Sequence, residues 1–126
     1  MNILIAGSRE FNDYKLLEDT LNQWADSNPD FSQEEISIVS GMARGADKLG
    51  VQFAEEYGLK LISMPADWNT YGKSAGYKRN EAMAKITDIA FIFWDGQSKG
   101  TKHMIDLCHK YYITTQIIEY NKAPWE

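Results

Sequence analysis

A chain of 126 residues, 44% apolar and 25% charged, has the size and composition of one globular domain, which excludes a disordered or fibrous protein. Its net charge of −5, from 18 acidic and 13 basic residues, argues against a protein that coats nucleic acid by neutralising phosphates. One cysteine, Cys108, and two histidines, His103 and His109, exclude a disulfide framework within the chain, and neither a metal nor a cofactor is expected. The opening MNILIAGSREF has no basic n-region, and no apolar run nears the ~20 residues that span a bilayer. A cytoplasmic protein without a membrane partner is the expectation.

Short apolar runs alternate with helical patterns along the chain. Ile3 to Ala6 read as a buried strand ending at Gly7. Asp13 can cap a helix whose Leu16, Leu17, Leu21, Trp24 and Ala25 share a face, and Asn28-Pro29-Asp30 breaks it. Ile36 to Val39 form a second strand, followed by a helix through Leu49, Phe53, Ala54 and Tyr57 that stops at Gly58. Leu61 to Met64 form a third strand. Residues 65–76 are then the longest stretch predicted to be irregular, and loops of that length are often functional. A helix over 77–86 is expected to turn Ala82, Met83 and Ile86 inward. Ile89 to Trp94 form the strongest strand, Asp95 to Gly100 a turn, and Thr101 opens a helix through Ile105 and Cys108. Thr114 to Tyr120 form the last strand.

Continuously apolar strands separated by helices imply a parallel sheet covered on both faces, hence a doubly wound three-layer sandwich. Such sheets bind ligands outside the carboxyl ends of their strands. The loops at that end carry the unusual residues. Gly7-Ser8-Arg9 supplies close backbone approach, a hydroxyl and a guanidinium, but not the GxGxxG fingerprint of a dinucleotide dehydrogenase. In Ser40-Gly41-Met42-Ala43-Arg44-Gly45-Ala46-Asp47, Gly41 and Gly45 flank Arg44 at a helix start. The segment reads either as an anion-binding end or as tight packing with Arg44 and Asp47 paired on the surface. Asp95-Gly96-Gln97-Ser98-Lys99-Gly100-Thr101 is the best phosphate loop in the chain, with helix-start amides, two hydroxyls and Lys99; the alternative is an ordinary glycine turn capped by Thr101. It is not a Walker A loop.

Acidic residues such as Glu18, Asp19, Glu34, Glu55 and Glu56 crowd the first half, whereas residues 73–102 hold six of the thirteen basic residues. That segment is either a solvated face or a local anion site suited to a small phosphorylated ligand. Trp68, Tyr71 and Tyr77, beside Lys73, Arg79 and Asn80, can hold a base by stacking and edge hydrogen bonds, or can anchor the loop to the body.

The ordered series Gly-Ser-Arg-Glu-Phe (7–11), Ser-Gly-Met-Ala-Arg-Gly-Ala-Asp (40–47), Pro-Ala-Asp-Trp (65–68), Tyr-Gly-Lys-Ser-Ala-Gly-Tyr (71–77), Arg-Asn (79–80), Phe-Trp-Asp-Gly (93–96) and Ser-Lys-Gly-Thr-Lys-His-Met (98–104) resembles the YspA-like branch of the SLOG superfamily. The resemblance runs from about residue 3 to residue 120. It implies a Rossmann-like domain with strand order 3-2-1-4-5, related to the Lonely Guy enzymes and to the DNA-processing protein DprA. It also implies a nucleotide-derived ligand such as an ADP-ribose or NAD derivative. Small stand-alone members occur in bacteriophages.

Lonely Guy enzymes carry Arg-Lys-x-x-Met on a helix and Pro-Gly-Gly-x-Gly-Thr-x-x-Glu after the next strand. Arg79 and Met83 match the first segment, while Gly96, Gly100 and Thr101 resemble the second. The glutamate that serves N-glycosidic cleavage in those enzymes is Met104 here. Keeping the arginine without the glutamate favours binding, with cleavage of an N-glycosidic bond as the alternative and an accessory role in nucleic acid metabolism third. If an enzyme, the chain offers Arg79, Glu81 and Asp95 as catalytic candidates, with Asp67 in the long loop as a further carboxylate. His103 is expected to point away from Met104, about 100° around the helix. SLOG relatives often pair, and Trp24, Tyr111, Tyr112 and Trp125 exceed what one small core needs, so a homodimer or higher oligomer is expected.

Overall fold

The computed structural model describes residues 1–32 and 35–120. Five strands, β1 (Asn2–Gly7), β2 (Ser37–Ser40), β3 (Lys60–Ser63), β4 (Ile89–Trp94) and β5 (Thr114–Glu119), form one parallel sheet in the order β3-β2-β1-β4-β5. This is a Rossmann-like α/β sandwich. Helices α1 (Tyr14–Ser27) and α2 (Ala46–Glu56) cover one face; α4 (Ala75–Ile86) and α5 (Lys99–Lys110) cover the other. A short α3 (Trp68–Tyr71) and a 3-10 turn (Gly72–Ser74) precede α4.

The period of two along each strand divides the core. Ile3, Ile5, Ile38, Phe91 and Phe93 face α1 and α2 with Leu17, Leu21 and Phe53. Leu4, Ala6, Val39, Ala90 and Ile92 face α4 and α5 with Met83, Met104, Leu107 and Cys108. The central strands β1 and β4 are buried on both sides. The edge strands are not: Leu61 in β3 is 38% exposed, although its apolar run reads like that of a buried strand.

Several boundaries differ from those expected. The stretch 65–76 is mostly helical, because the Asp67 carboxylate accepts the Thr70 N–H at 3.1 Å and caps α3. Gly72, at φ 55°, then lets the chain re-enter a helical turn. α5 starts at Lys99 behind Ser98, so Thr101 lies inside the helix with its hydroxyl donating to Ser98 Oγ at 3.1 Å. On α4 the inward residues are Asn80, Met83 and Ala84; Ala82 and Ile86 face outward, as does Ala25 on α1. Of the aromatic residues expected to exceed one core, Trp24 packs edge-on to Phe91, and Tyr111 donates to Glu81 at 2.9 Å. Tyr112 is exposed, whereas Trp125 and Glu34 lie outside the described residues. No helix of the described residues is long and apolar enough to cross a membrane.

The pairing of β1 with β4 is tight at Gly7, which lies opposite Phe93. A methyl group there would stand 2.1 Å from the Phe93 carbonyl oxygen and 2.8 Å from Ala46 Cβ. Two backbones meet at this point and neither can yield. Gly7→Ala is expected to cost more than about 3 kcal/mol in urea unfolding; a loss below about 1 kcal/mol would show that the strands can separate.

Candidate functional site

Strand order reverses between β1 and β4, and a cleft of about 300 Å³ opens above the carboxyl ends of the strands there. Its floor is apolar, formed by Ala6, Met83 and Met104. The end of β1 contributes Gly7 and the loop after it Arg9; the loop before α2 contributes Ala43 and the first turn of α2 Asp47; Ser98 precedes α5, which contributes Gly100 and Thr101. The α3–α4 segment supplies Trp68, Lys73, Tyr77, Arg79 and Asn80. Nine expected ligand residues therefore meet: Gly7, Arg9, Trp68, Lys73, Arg79, Asn80, Ser98, Gly100 and Thr101.

The other expected residues lie elsewhere, each for a visible reason. Ser8 is 2% exposed and structural, its hydroxyl accepting the Asp95 N–H at 3.1 Å. Gly45 packs its Cα against the Ser8 and Arg9 carbonyls, where a Cβ would stand 2.4 Å from an oxygen. Arg44 does not pair with Asp47 but donates to Glu10 at 2.7 Å on the surface. It lines a neighbouring hollow with Gly41. Tyr71 is outside the cleft under the Lys78 ammonium, 4.9 Å from its ring centre. Gly96 and Lys99 line a shallow niche on the far side of Tyr77.

The two carboxylate candidates are also accounted for by local structure. Asp95 accepts the N–H groups of Gln97 and Ser98 at 2.9 and 2.8 Å, which holds its carboxyl below the ordinary range and builds the turn into α5. Glu81 accepts from Tyr111 and sits on the outer side of α4 beside Lys85. Neither lines the cleft. Arg79 does.

Arg79 is half-buried. It donates from Nη1 to the Gly41 carbonyl at 2.6 Å and from Nε to Asn80 Oδ1 at 3.0 Å, so its plane is fixed. The Asn80 amide then donates to His103 Nδ1 at 3.2 Å, which requires that nitrogen to be unprotonated. Burial lowers the His103 pKa, in agreement. His103 stays off the cleft lining, stacked edge-on to Tyr77. It nonetheless orients Arg79 through Asn80, a relay invisible in the sequence.

Asp47 is the residue that sequence reasoning missed. It is 6% exposed, and it is the one carboxylate among the described residues lining the cleft. Its Oδ2 accepts the Ala43 N–H at 3.2 Å. The Ala46 N–H is satisfied by the Ser8 carbonyl at 3.3 Å. The start of α2 is thus occupied by the chain itself and is not the open anion site its two glycines suggest. Burial pushes the Asp47 carboxyl up to about 6, against the Ala43 hydrogen bond and the charges of Arg79, Arg9 and Lys48. The loop holding it is strained: Met42 adopts φ 64°, its N–H tied to Ser40 Oγ at 3.1 Å. The sequence signal was an acid in the first turn of a helix behind a glycine-flanked loop.

A methyl group on Gly41 would meet both Arg79 Nη1, at 2.6 Å, and Asp47 Oδ2, at 2.8 Å. The glycine lets the two charged groups converge.

Three cations, Arg9, Lys73 and Arg79, thus face one carboxylate in a cleft of an otherwise acidic chain. Arg9 and Lys73 form no ion pair among the described residues. The first turn of α5, whose opening amides helix geometry leaves without carbonyl partners, borders the same space through Gly100 and Thr101. Fold and cleft together define a Rossmann-like α/β domain with a cationic crevice at its topological switch point.

The chain belongs to the YspA, cpYpsA-related SLOG family, which its residues 1–71 match. It is also similar to the Gene 61 protein of Mycobacterium phage D29, with 33% identity covering 97% of this chain and 98% of that one. No solved structure gives a significant match. The family match ends before Arg79 and α5, so the second half of the cleft rests on the structure.

Proposed function

We propose that the cleft binds a small phosphorylated nucleoside derivative, of the AMP or ADP-ribose kind, and that the protein senses or sequesters it. Membership of a SLOG family supports a nucleotide-related role. The observation that carries the reading is the excess of cations over carboxylates in a cleft that also has aromatic walls. Phosphate oxygens take the α5 amides and the fixed Arg79 guanidinium beside them. The base lies against Trp68 and Tyr77, which are 52% and 54% exposed and so have free faces to cover. A volume near 300 Å³ suits one small molecule better than a polymer, and the net charge of −5 opposes a long phosphate backbone. A cytoplasmic location, where phosphorylated nucleosides are abundant, goes with this reading.

A second reading, hydrolysis of an N-glycosidic bond, is favoured by one observation: a buried acid, Asp47, lines the cleft although the family glutamate position is Met104. Isothermal titration with ADP-ribose, NAD, AMP and a cyclic nucleotide, followed by chromatography of each mixture, separates the two. Bound ligand recovered intact is the expected result. Release of free base at about 1 per second or faster would make the protein an enzyme, and no heat with any of the four would remove the nucleotide reading.

A further inference from the structure

We propose that Asp47 is the specificity residue of the cleft: its carboxylate accepts hydrogen bonds from the ligand's sugar hydroxyls, so the site selects ribose over deoxyribose derivatives. This rests on the nucleotide reading above and specifies which nucleotides qualify.

The argument is one of placement. Asp47 is nearly fully buried yet borders the cleft, and the hydrogen bond it accepts, from the Ala43 N–H, is long at 3.2 Å. A carboxylate has about four acceptor positions, so capacity remains on the cleft side. Arg79 does not satisfy it: the guanidinium converges on the same glycine but donates to Gly41 and Asn80, with no ion pair to Asp47 within 4.0 Å. A buried carboxylate needs donors.

Phosphate cannot provide them. Two anions in contact inside a partly dry cleft repel, so the phosphate belongs at the α5 end with Thr101, and Asp47 faces a different part of the ligand. Between the phosphate and the base of a nucleotide lie only the sugar and its hydroxyls. A vicinal diol presents two O–H donors at a spacing that the two oxygens of one carboxylate can accept. The charged groups facing Asp47 are Arg9 from the loop after β1, Arg79 from α4 and Lys48 from its own helix, all cationic; α5 presents the uncharged Thr101 and Met104. Above about pH 6 the carboxyl is therefore ionised and a strong acceptor.

A ligand that lacks the hydroxyl leaves this carboxylate buried and short of donors, which is the situation that discriminates most sharply. The test is calorimetric titration of AMP, 2′-deoxy-AMP and 3′-deoxy-AMP against the wild type, Asp47→Ala and Asp47→Asn at about pH 7.5. The wild type is expected to bind AMP about ten- to a hundred-fold more tightly than either deoxy form, as for a charge-assisted hydrogen bond. Asp47→Ala should close that gap and Asp47→Asn, which keeps one acceptor oxygen, should narrow it. Equal wild-type affinity for AMP and both deoxy forms overturns the inference while leaving the nucleotide reading intact. So does a full gap persisting in either variant, with the fold verified by circular dichroism. No binding of AMP or of ADP-ribose to the wild type overturns the nucleotide reading itself, and the inference with it.

Discussion

Asparagine at position 47 is expected to stabilise the protein at neutral pH and to flatten its pH profile. The Asp47 carboxyl moves from 3.8 to about 6 on folding, because burial disfavours its charge more than Ala43, Arg79, Arg9 and Lys48 favour it. The shift is upward, so the folded state holds its proton longer than the unfolded chain does. As pH rises through about 4, the unfolded chain releases that proton first; the folded protein follows near 6. Stability from this group is thus greatest below about pH 4, falls across the interval and stays low above it. The difference amounts to about 3 kcal/mol at 1.36 kcal/mol per pH unit. Asparagine cannot ionise, and its side-chain oxygen can still accept the Ala43 N–H. Urea unfolding of wild type and Asp47→Asn between about pH 4 and 8 should show the variant gaining on the wild type as pH rises to about 6, then running parallel. A constant difference across the range would mean that Asp47 is ionised in both states. On the proposed nucleotide reading, the stability given up at this buried acid is the cost of ligand recognition.

Removing the Arg79 guanidinium should have the largest effect on binding. The group is half-buried and held at two points, Gly41 and Asn80, so little freedom remains to be lost when an anion docks. A charge-assisted contact of about 1.5–3 kcal/mol translates into a loss of roughly ten- to a hundred-fold in Arg79→Ala. Arg79→Lys keeps charge but not the fork, and should fall between. Thr101→Val removes a hydroxyl already engaged with Ser98 Oγ while leaving the α5 amides in place, and should cost less than either. Titration of ADP-ribose against the three variants checks the order; unchanged affinity in a folded Arg79→Ala would move the phosphate away from α4. Loss of Arg79 also removes a cation beside Asp47, so the pKa of that carboxyl should rise further above 6.

Much of the fold follows from local pattern. All five strands lie within about a residue of where the sequence places them, and for β1 and β4 the reason is that a strand buried on both faces has to be continuously apolar and has to stop where glycine or a polar turn begins. The parallel sheet follows from helices placed between those strands, and the order 3-2-1-4-5 came with the family resemblance rather than from any single residue. The loop from Asp95 to Thr101 was legible for the same local reason: an aspartate two and three residues before free amides makes its turn with near neighbours.

Only the tertiary structure decided which charged residues face one another. Lys78 and Arg79 are adjacent in sequence, yet they lie about 100° apart around α4; one covers Tyr71 outside and the other enters the cleft. Of the two readings the sequence left open, the pairing of Arg44 with Asp47 does not form: the loop turns Arg44 outward to Glu10, and the cation that approaches Asp47 comes instead from α4, on the opposite face of the sheet. Helical segments at 68–76 replaced an expected loop because the Asp67 cap and Gly72 act together and lead the chain into α4, whose packing against α5 no short window contains. Composition and period determined the elements, since burial and capping act over a few residues. The cleft depended on helix phase and on the reversal between β1 and β4, which bring residues 9, 47, 79 and 101 to one place from four different connections.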